Sequence, residues 1–174
     1  MSNSENLKFY LRTIASMSRS SVQEDFKFSG MPDLVLQMGR EMKPIALPQN
    51  IKLGYPQHCY YNAQALAKRL PTLIYCEGFA LAESSLIPVP HAWVMDRQWQ
   101  AIDPTWERSK YPEAIYLGIP LHINWVRAVL SARAKTGNKD IAILEGNYAR
   151  PERGSFYRSG LPTKAIAGFN VPVS

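Results

Sequence analysis

Along residues 58–70 the apolar positions recur with a helical period. Cys59, Asn62, Ala63, Leu66 and Leu70 fall on one face, and Gln64, Lys68 and Arg69 fall off it. The spacing predicts a helix that Pro71 ends, with Cys59 in its first turn on the buried side. Beyond Pro71 the period changes. "TLIYCEGFALA" reads as a strand, "ESSLIPVP" as a loop, "HAWVMD" as a second strand, "RQ" as a tight turn, and "WQAIDPTW" as a third strand stopped at Pro104. "YPEAIYLGIPL" reads as a further short strand. "INWVRAVLSARA" reads as a helix with Trp125, Val129 and Ala132 inward, and "KDIAILEG" as a short helix or strand.

The flanks are less regular. "NLKFYLRTIASM" places Leu7, Tyr10, Leu11 and Ile14 at helical spacing. "MPDLVLQMGREM" has Pro32 near its start and Leu34, Met38 and Met42 at i, i+4 and i+8, as a short helix would. "KPIALPQNIKLGYP" reads as loop, and the tail from "NYARPERGSFYRSG" onward as loop or partly disordered chain. The expected organisation is an N-terminal helical extension over 1–50, a core over 51–147 and a basic C-terminal tail over 148–174. A helix followed by antiparallel strands indicates an α+β domain, its sheet packed on the cysteine helix.

Composition narrows the class. The chain has 174 residues, 46% hydrophobic and 20% charged, which suits one domain with a sizeable core. No apolar run approaches the roughly 20 residues that cross a bilayer, and the first twenty residues lack a secretory signal. Two cysteines, Cys59 and Cys76, do not make a disulfide framework, so a reduced, cytoplasmic setting is expected. The net charge of +6 is concentrated towards the two ends. That leaves room for an anionic partner at the basic termini, although no nucleic-acid-binding motif accompanies the charge.

Candidate chemistry begins with Cys59. A thiol at a helix N-terminus faces free backbone N–H groups and the positive end of the macrodipole, and its own N–H can face an oxyanion. It needs a base, held by a third polar group. The chain has three histidines: His58, His91 and His122. His91 opens "HAWVMD", and Asp103 closes the next strand. Their midpoint is Arg97, where the hairpin should turn, so the two should lie nearly opposite on one face. If that sheet packs on the helix face carrying Cys59, the three groups converge.

"HCYYNAQALA", "YCEGFA", "HAWVMD" and "AIDPTW" together resemble the transglutaminase-like cysteine-hydrolase superfamily over residues 55–107. The resemblance implies a papain-like core, with a helix carrying cysteine packed on an antiparallel sheet carrying histidine and aspartate. It implies Cys59 as nucleophile, His91 as general base and acid, and Asp103 as the orienting carboxylate. It also implies a peptide or protein amide as substrate and no cofactor. Tyr60 stands where known transglutaminases usually carry tryptophan or another bulky residue within larger multidomain chains, and the chain is short, which favours hydrolysis over calcium-dependent cross-linking.

Around this constellation, Gln57 can donate to an oxyanion, and Trp93 and Trp106 can wall a cleft. Asn62 is expected to make a local hydrogen bond, Cys76 and Glu77 to pack within their strand, and His58 and His122 to stand aside. No CxxC or HxxxH pair occurs, so no metal site is expected. The expected function is cysteine-dependent hydrolysis of an amide or acyl bond through an acyl-enzyme. Two readings compete: a non-catalytic nucleic-acid- or protein-binding module on the same scaffold, and an acyltransferase in which an amine replaces water.

Overall fold

A computed structural model describes residues 2–22, 24–83, 85–107, 111, 113–145 and 151–168, with only the backbone of 151–153. The chain runs through helices α1 (Asn3–Arg19) and α2 (Met31–Met38), strand β1 (Arg40–Pro44) and helix α3 (Cys59–Arg69). Next come strands β2 (Ile74–Leu81), β3 (Val89–Met95), β4 (Gln100–Ile102) and β5 (Ile115–Leu121), then helices α4 (Ile123–Lys135) and α5 (Pro151–Ser159). The protein is a mixed α+β fold.

The strands close into a barrel in the order β1-β4-β3-β2-β5. All neighbours are antiparallel except β1 and β4, which run parallel. Alternation along each strand sends one row of side chains inward. Met42, Cys76, Ala80, Trp93, Met95 and Tyr116 form that inner cluster. The Trp93 indole fills it, and Gly118 is the reason it fits: a Cβ there would lie 2.4 Å from the ring. The outward row, including Tyr75, Phe79, Ala92, Val94 and Leu117, packs with helical residues into a second and larger cluster.

Several expectations change. The predicted helix over "MPDLVLQMGREM" ends at Met38, because Gly39 leaves it in an extended conformation. Met42 then lies on β1 inside the barrel. A strand whose residues read as the end of that helix and the start of a loop thus closes the sheet, and its parallel pairing to β4 departs from an all-antiparallel arrangement. The expected extension is also not separate in packing. Leu7, Leu11, Leu34 and Val35 are buried in the same cluster as Ala63 and Leu66 of α3. The expected tail holds α5, whose Phe156 and Tyr157 are buried, while the backbone N–H groups of Lys27 and Phe28 bond to the carbonyls of Arg158 and Tyr157. The stretches 148–150 and 169–174 of that tail lie outside the described residues.

On α4 the buried residues are Val126 and Arg133, and Ala132 is exposed. Arg133 turns inward because carbonyls wait there: its guanidinium donates to those of Asp140, Ala142 and Ile143. "KDIAILEG" is accordingly neither helix nor strand through Glu145, but an irregular strap held by side chains. Among the described residues no helix is long and apolar enough to cross a membrane.

Candidate functional site

The site lies at one end of the barrel, where α3 begins. His58 is the N-cap and Cys59 the first helical residue, so the first backbone N–H groups of α3 have no carbonyl within the helix. The Cys59 side chain is half-buried.

His91 belongs to the inward row of β3 with Trp93 and Met95. Its Nε2 lies 2.7 Å from Asp103 Oδ2, and both side chains are buried, at 4% and 5% exposure. The hairpin joining them differs from the expected tight turn. Val94 pairs with Ile102 and Met95 with Ala101, so the turn centres on Gln98 rather than Arg97. Trp99 adopts a left-handed φ of 60°, and Asp96 Oδ1 accepts the N–H groups of Gln98 and Gln100. This register, continued, sets Trp93 across from Asp103, with His91 one inward step further along. The pair is diagonal rather than opposite, and parity still keeps it on one face.

Both oxygens of Asp103 are engaged twice. Oδ1 accepts the backbone N–H groups of Thr105 at 2.7 Å and Trp106 at 3.0 Å. Oδ2 accepts from His91 and from the Tyr116 hydroxyl at 2.8 Å. The carboxylate is thus fixed in orientation before any ligand arrives. His91 is shielded by rings, with Trp106 4.4 Å and Trp93 6.4 Å away between centroids.

Burial alone would pull the His91 pKa down. The Asp103 charge and its hydrogen bond overcome this, and hydrogen bonding with the Cys59 side chain adds to them, raising it to about 9. With Nε2 committed to Asp103, Nδ1 is the nitrogen left for Cys59. The imidazole therefore lies between a fixed carboxylate and a thiol at a helix start. Cys76 is different in kind: it is fully buried in the barrel beside Met42 Sδ, and burial pushes its pKa well up.

The loop before Cys59 is tied to the Asp103 loop by Asn62, for which the sequence suggests only a local bond. Its amide oxygen accepts the Tyr55 N–H, and its nitrogen donates to the Tyr55 carbonyl and to Thr105 Oγ1 at 3.0 Å. The Gly54 N–H donates to the Pro104 carbonyl at 2.7 Å. A Cβ on Gly54 would sit 2.4 Å from the Asn62 amide, so the closeness of loop and helix requires glycine here. These bonds set the position of Cys59 relative to Asp103.

Gln57 is exposed, with a left-handed φ of 63°, two residues before Cys59. Trp106 is half-buried and stands over His91. Trp93 has no exposed surface and donates its indole N–H to Met42 Sδ, so it belongs to the barrel interior and does not wall an open cleft. His58 bonds through Nδ1 to the Pro56 carbonyl on the surface, and His122 caps α4. Tyr116 and Asn62 are the site residues that sequence reasoning missed. Tyr116 carries an inward parity on β5, but nothing in the sequence says that β5 closes the barrel beside Asp103.

Glu77 is a further surprise. It leaves its strand's packing to accept the N–H groups of Ile143 and Leu144 and the Tyr75 hydroxyl, while fully buried. It anchors the strap whose Glu145 accepts from Tyr60, the residue after Cys59. Among the described residues no group of His, Cys, Asp and Glu gathers as a metal ion would need. Compared with family models, curated proteins and solved structures, the chain matches none.

Proposed function

We propose that this chain is a cysteine hydrolase acting on an amide or related acyl bond, built on a transglutaminase-like, papain-like core. The observation that carries the reading is His91, buried between the fixed Asp103 carboxylate and the Cys59 side chain. An imidazole with a pKa raised to about 9 is a strong acceptor for the thiol proton.

The chemistry uses only the groups present. Cys59 Sγ passes its proton to His91 and attacks the carbonyl carbon. A C–S bond forms, and the carbonyl electron pair moves to oxygen, where the Cys59 N–H can stabilise it. The oxyanion collapses, the C–N bond breaks, and the leaving amine takes the proton from His91. Water then gives a proton to His91, attacks the thioester and releases the thiolate. Asp103 holds the ring in place and stabilises its charge throughout. Gln57, two residues before Cys59, and Trp106, over His91, are the candidates to contact the acyl group.

The test is alkylation of the folded protein by iodoacetamide from about pH 4 to about 9 with peptide mapping, alongside a screen of ester and amide substrates. Cys76 is the internal control. Cys59 should be alkylated selectively, His91→Ala should slow that reaction by about tenfold or more, and Cys59→Ser should abolish turnover while keeping the fold. Equal reactivity of Cys59 in the wild type and His91→Ala would overturn the reading.

A further inference from the structure

A second feature lies beside the site and plays no part in that chemistry. Between the loop over 51–55 and helix α3 is a cavity of about 280 Å³. Its floor is apolar, made by Ile51 at 6% and Leu66 at 4% exposure. Tyr55 and Tyr61, 68% and 54% exposed, stand at its wall with ring centroids 6.5 Å apart. Lys52 and Arg69 are exposed on its rim, and neither has an ion-pair partner among the described residues. No acidic residue is among the described residues that line it. The cleft thus joins exposed tyrosine rings and a small apolar floor to a rim whose charge has one sign.

We propose that this cleft docks an acidic peptide segment carrying an apolar side chain. The side chain sits on Ile51 and Leu66 between the tyrosines, and flanking carboxylates meet Lys52 and Arg69. The alternative with the same charge is a nucleotide of single-stranded nucleic acid, and the cleft is poorly made for its base. Asn62 is the amide in its wall, and its oxygen and nitrogen are already spent on Tyr55 and Thr105. A base edge there would be buried without partners. The Tyr55 and Tyr61 rings are inclined by 44°, so they cannot sandwich a flat base between parallel faces. Peptide docking here needs no catalysis, so it stands or falls separately from the role of Cys59. The basic residues involved are also distinct from those at the chain termini.

The experiment is an NMR titration of the isotope-labelled full chain with a capped pentapeptide, one leucine flanked by glutamates. Saturable shifts are expected at the amides of 53–55 and 61–65, weakening as salt rises. The same peptide with lysines in place of the glutamates should not bind. Lys52→Glu with Arg69→Glu should weaken the acidic peptide by about tenfold, the scale of two reversed rim pairs. Ala65→Trp, on the exposed wall of α3, should block it without changing charge. Cys59→Ser should bind as the wild type does. Three results would each overturn the proposal: no saturable shift, equal binding of the lysine peptide, or tighter binding of an oligothymidylate at the same amides.

Discussion

Glu77 is the most informative residue to perturb for stability. Its carboxylate has no solvent contact and accepts from three donors: the Ile143 N–H at 2.8 and 3.0 Å, the Leu144 N–H at 2.7 Å, and the Tyr75 hydroxyl at 2.6 Å. Glu77→Leu leaves two backbone N–H groups and a hydroxyl buried without this acceptor. At roughly 1–3 kcal/mol for each backbone group, partly offset by no longer burying a charge, the loss is about 3–5 kcal/mol. Glu77→Gln retains one oxygen for the strap and should lose only about 1 kcal/mol.

The pH dependence separates the two effects. Burial raises the Glu77 pKa to about 7 from 4.5, against the lowering by its hydrogen bonds and Arg133. A carboxyl whose folded pKa is raised ionises less readily in the native state, so stability falls as pH rises from 4.5 to about 7 and levels off above. The loss across that window is on the order of 3 kcal/mol. His91 has a later window: its pKa is raised, so its contribution is complete below 6.5 and is lost as pH rises through about 9. Urea unfolding of the wild type and Glu77→Gln at a series of pH values reads the difference directly. The wild-type midpoint should fall through the Glu77 window and that of the Gln variant should not. Parallel curves for the two proteins, or a Leu variant as stable as the wild type, would refute the argument.

Two further predictions concern the site. Asp103→Asn places an amide N–H₂ against the His91 nitrogen and the Tyr116 hydroxyl, so the His91 titration, followed by NMR, should fall from about 9 towards its ordinary range, and Cys59 alkylation should slow with it. Gly54→Ala drives a Cβ to 2.4 Å from an Asn62 amide pinned by three bonds, and should cost about 1–3 kcal/mol in chemical denaturation; made in an Asn62→Ala background, which is itself less stable than the wild type, the same change should cost far less, and an undiminished cost there would show that the clash is not the cause.

Much of the local structure was legible in the residues. The 3.6-residue period of 58–70 places a helix that is found at Cys59–Arg69, and the β-rich composition of "TLIYCEGFALA" and the strand reading of "HAWVMD" place β2 and β3. Parity along a hairpin is robust: the turn moved from Arg97 to Gln98, yet a separation that stays even keeps His91 and Asp103 on one face. Periodicity and parity are local properties, written in adjacent side chains.

What the sequence by itself determined is therefore α3, the β2–β3 pair of strands and the face that His91 and Asp103 share. Only the tertiary structure decided what those faces meet. β1 carries Arg40, Glu41 and Lys43 around one buried Met42, and is a strand because β4 and β5 offer it edges on both sides, not because its residues prefer to be one. Tyr116 reaches Asp103 across the closed barrel, Asn62 joins two loops, and Glu77 and Arg133 turn to a strap far along the chain. Each of these is a polar side chain at a position whose pattern reads as ordinary helix or strand. Its burial is tolerable only because a distant backbone or carboxylate completes its hydrogen bonds, and that partner exists only once the chain has closed on itself.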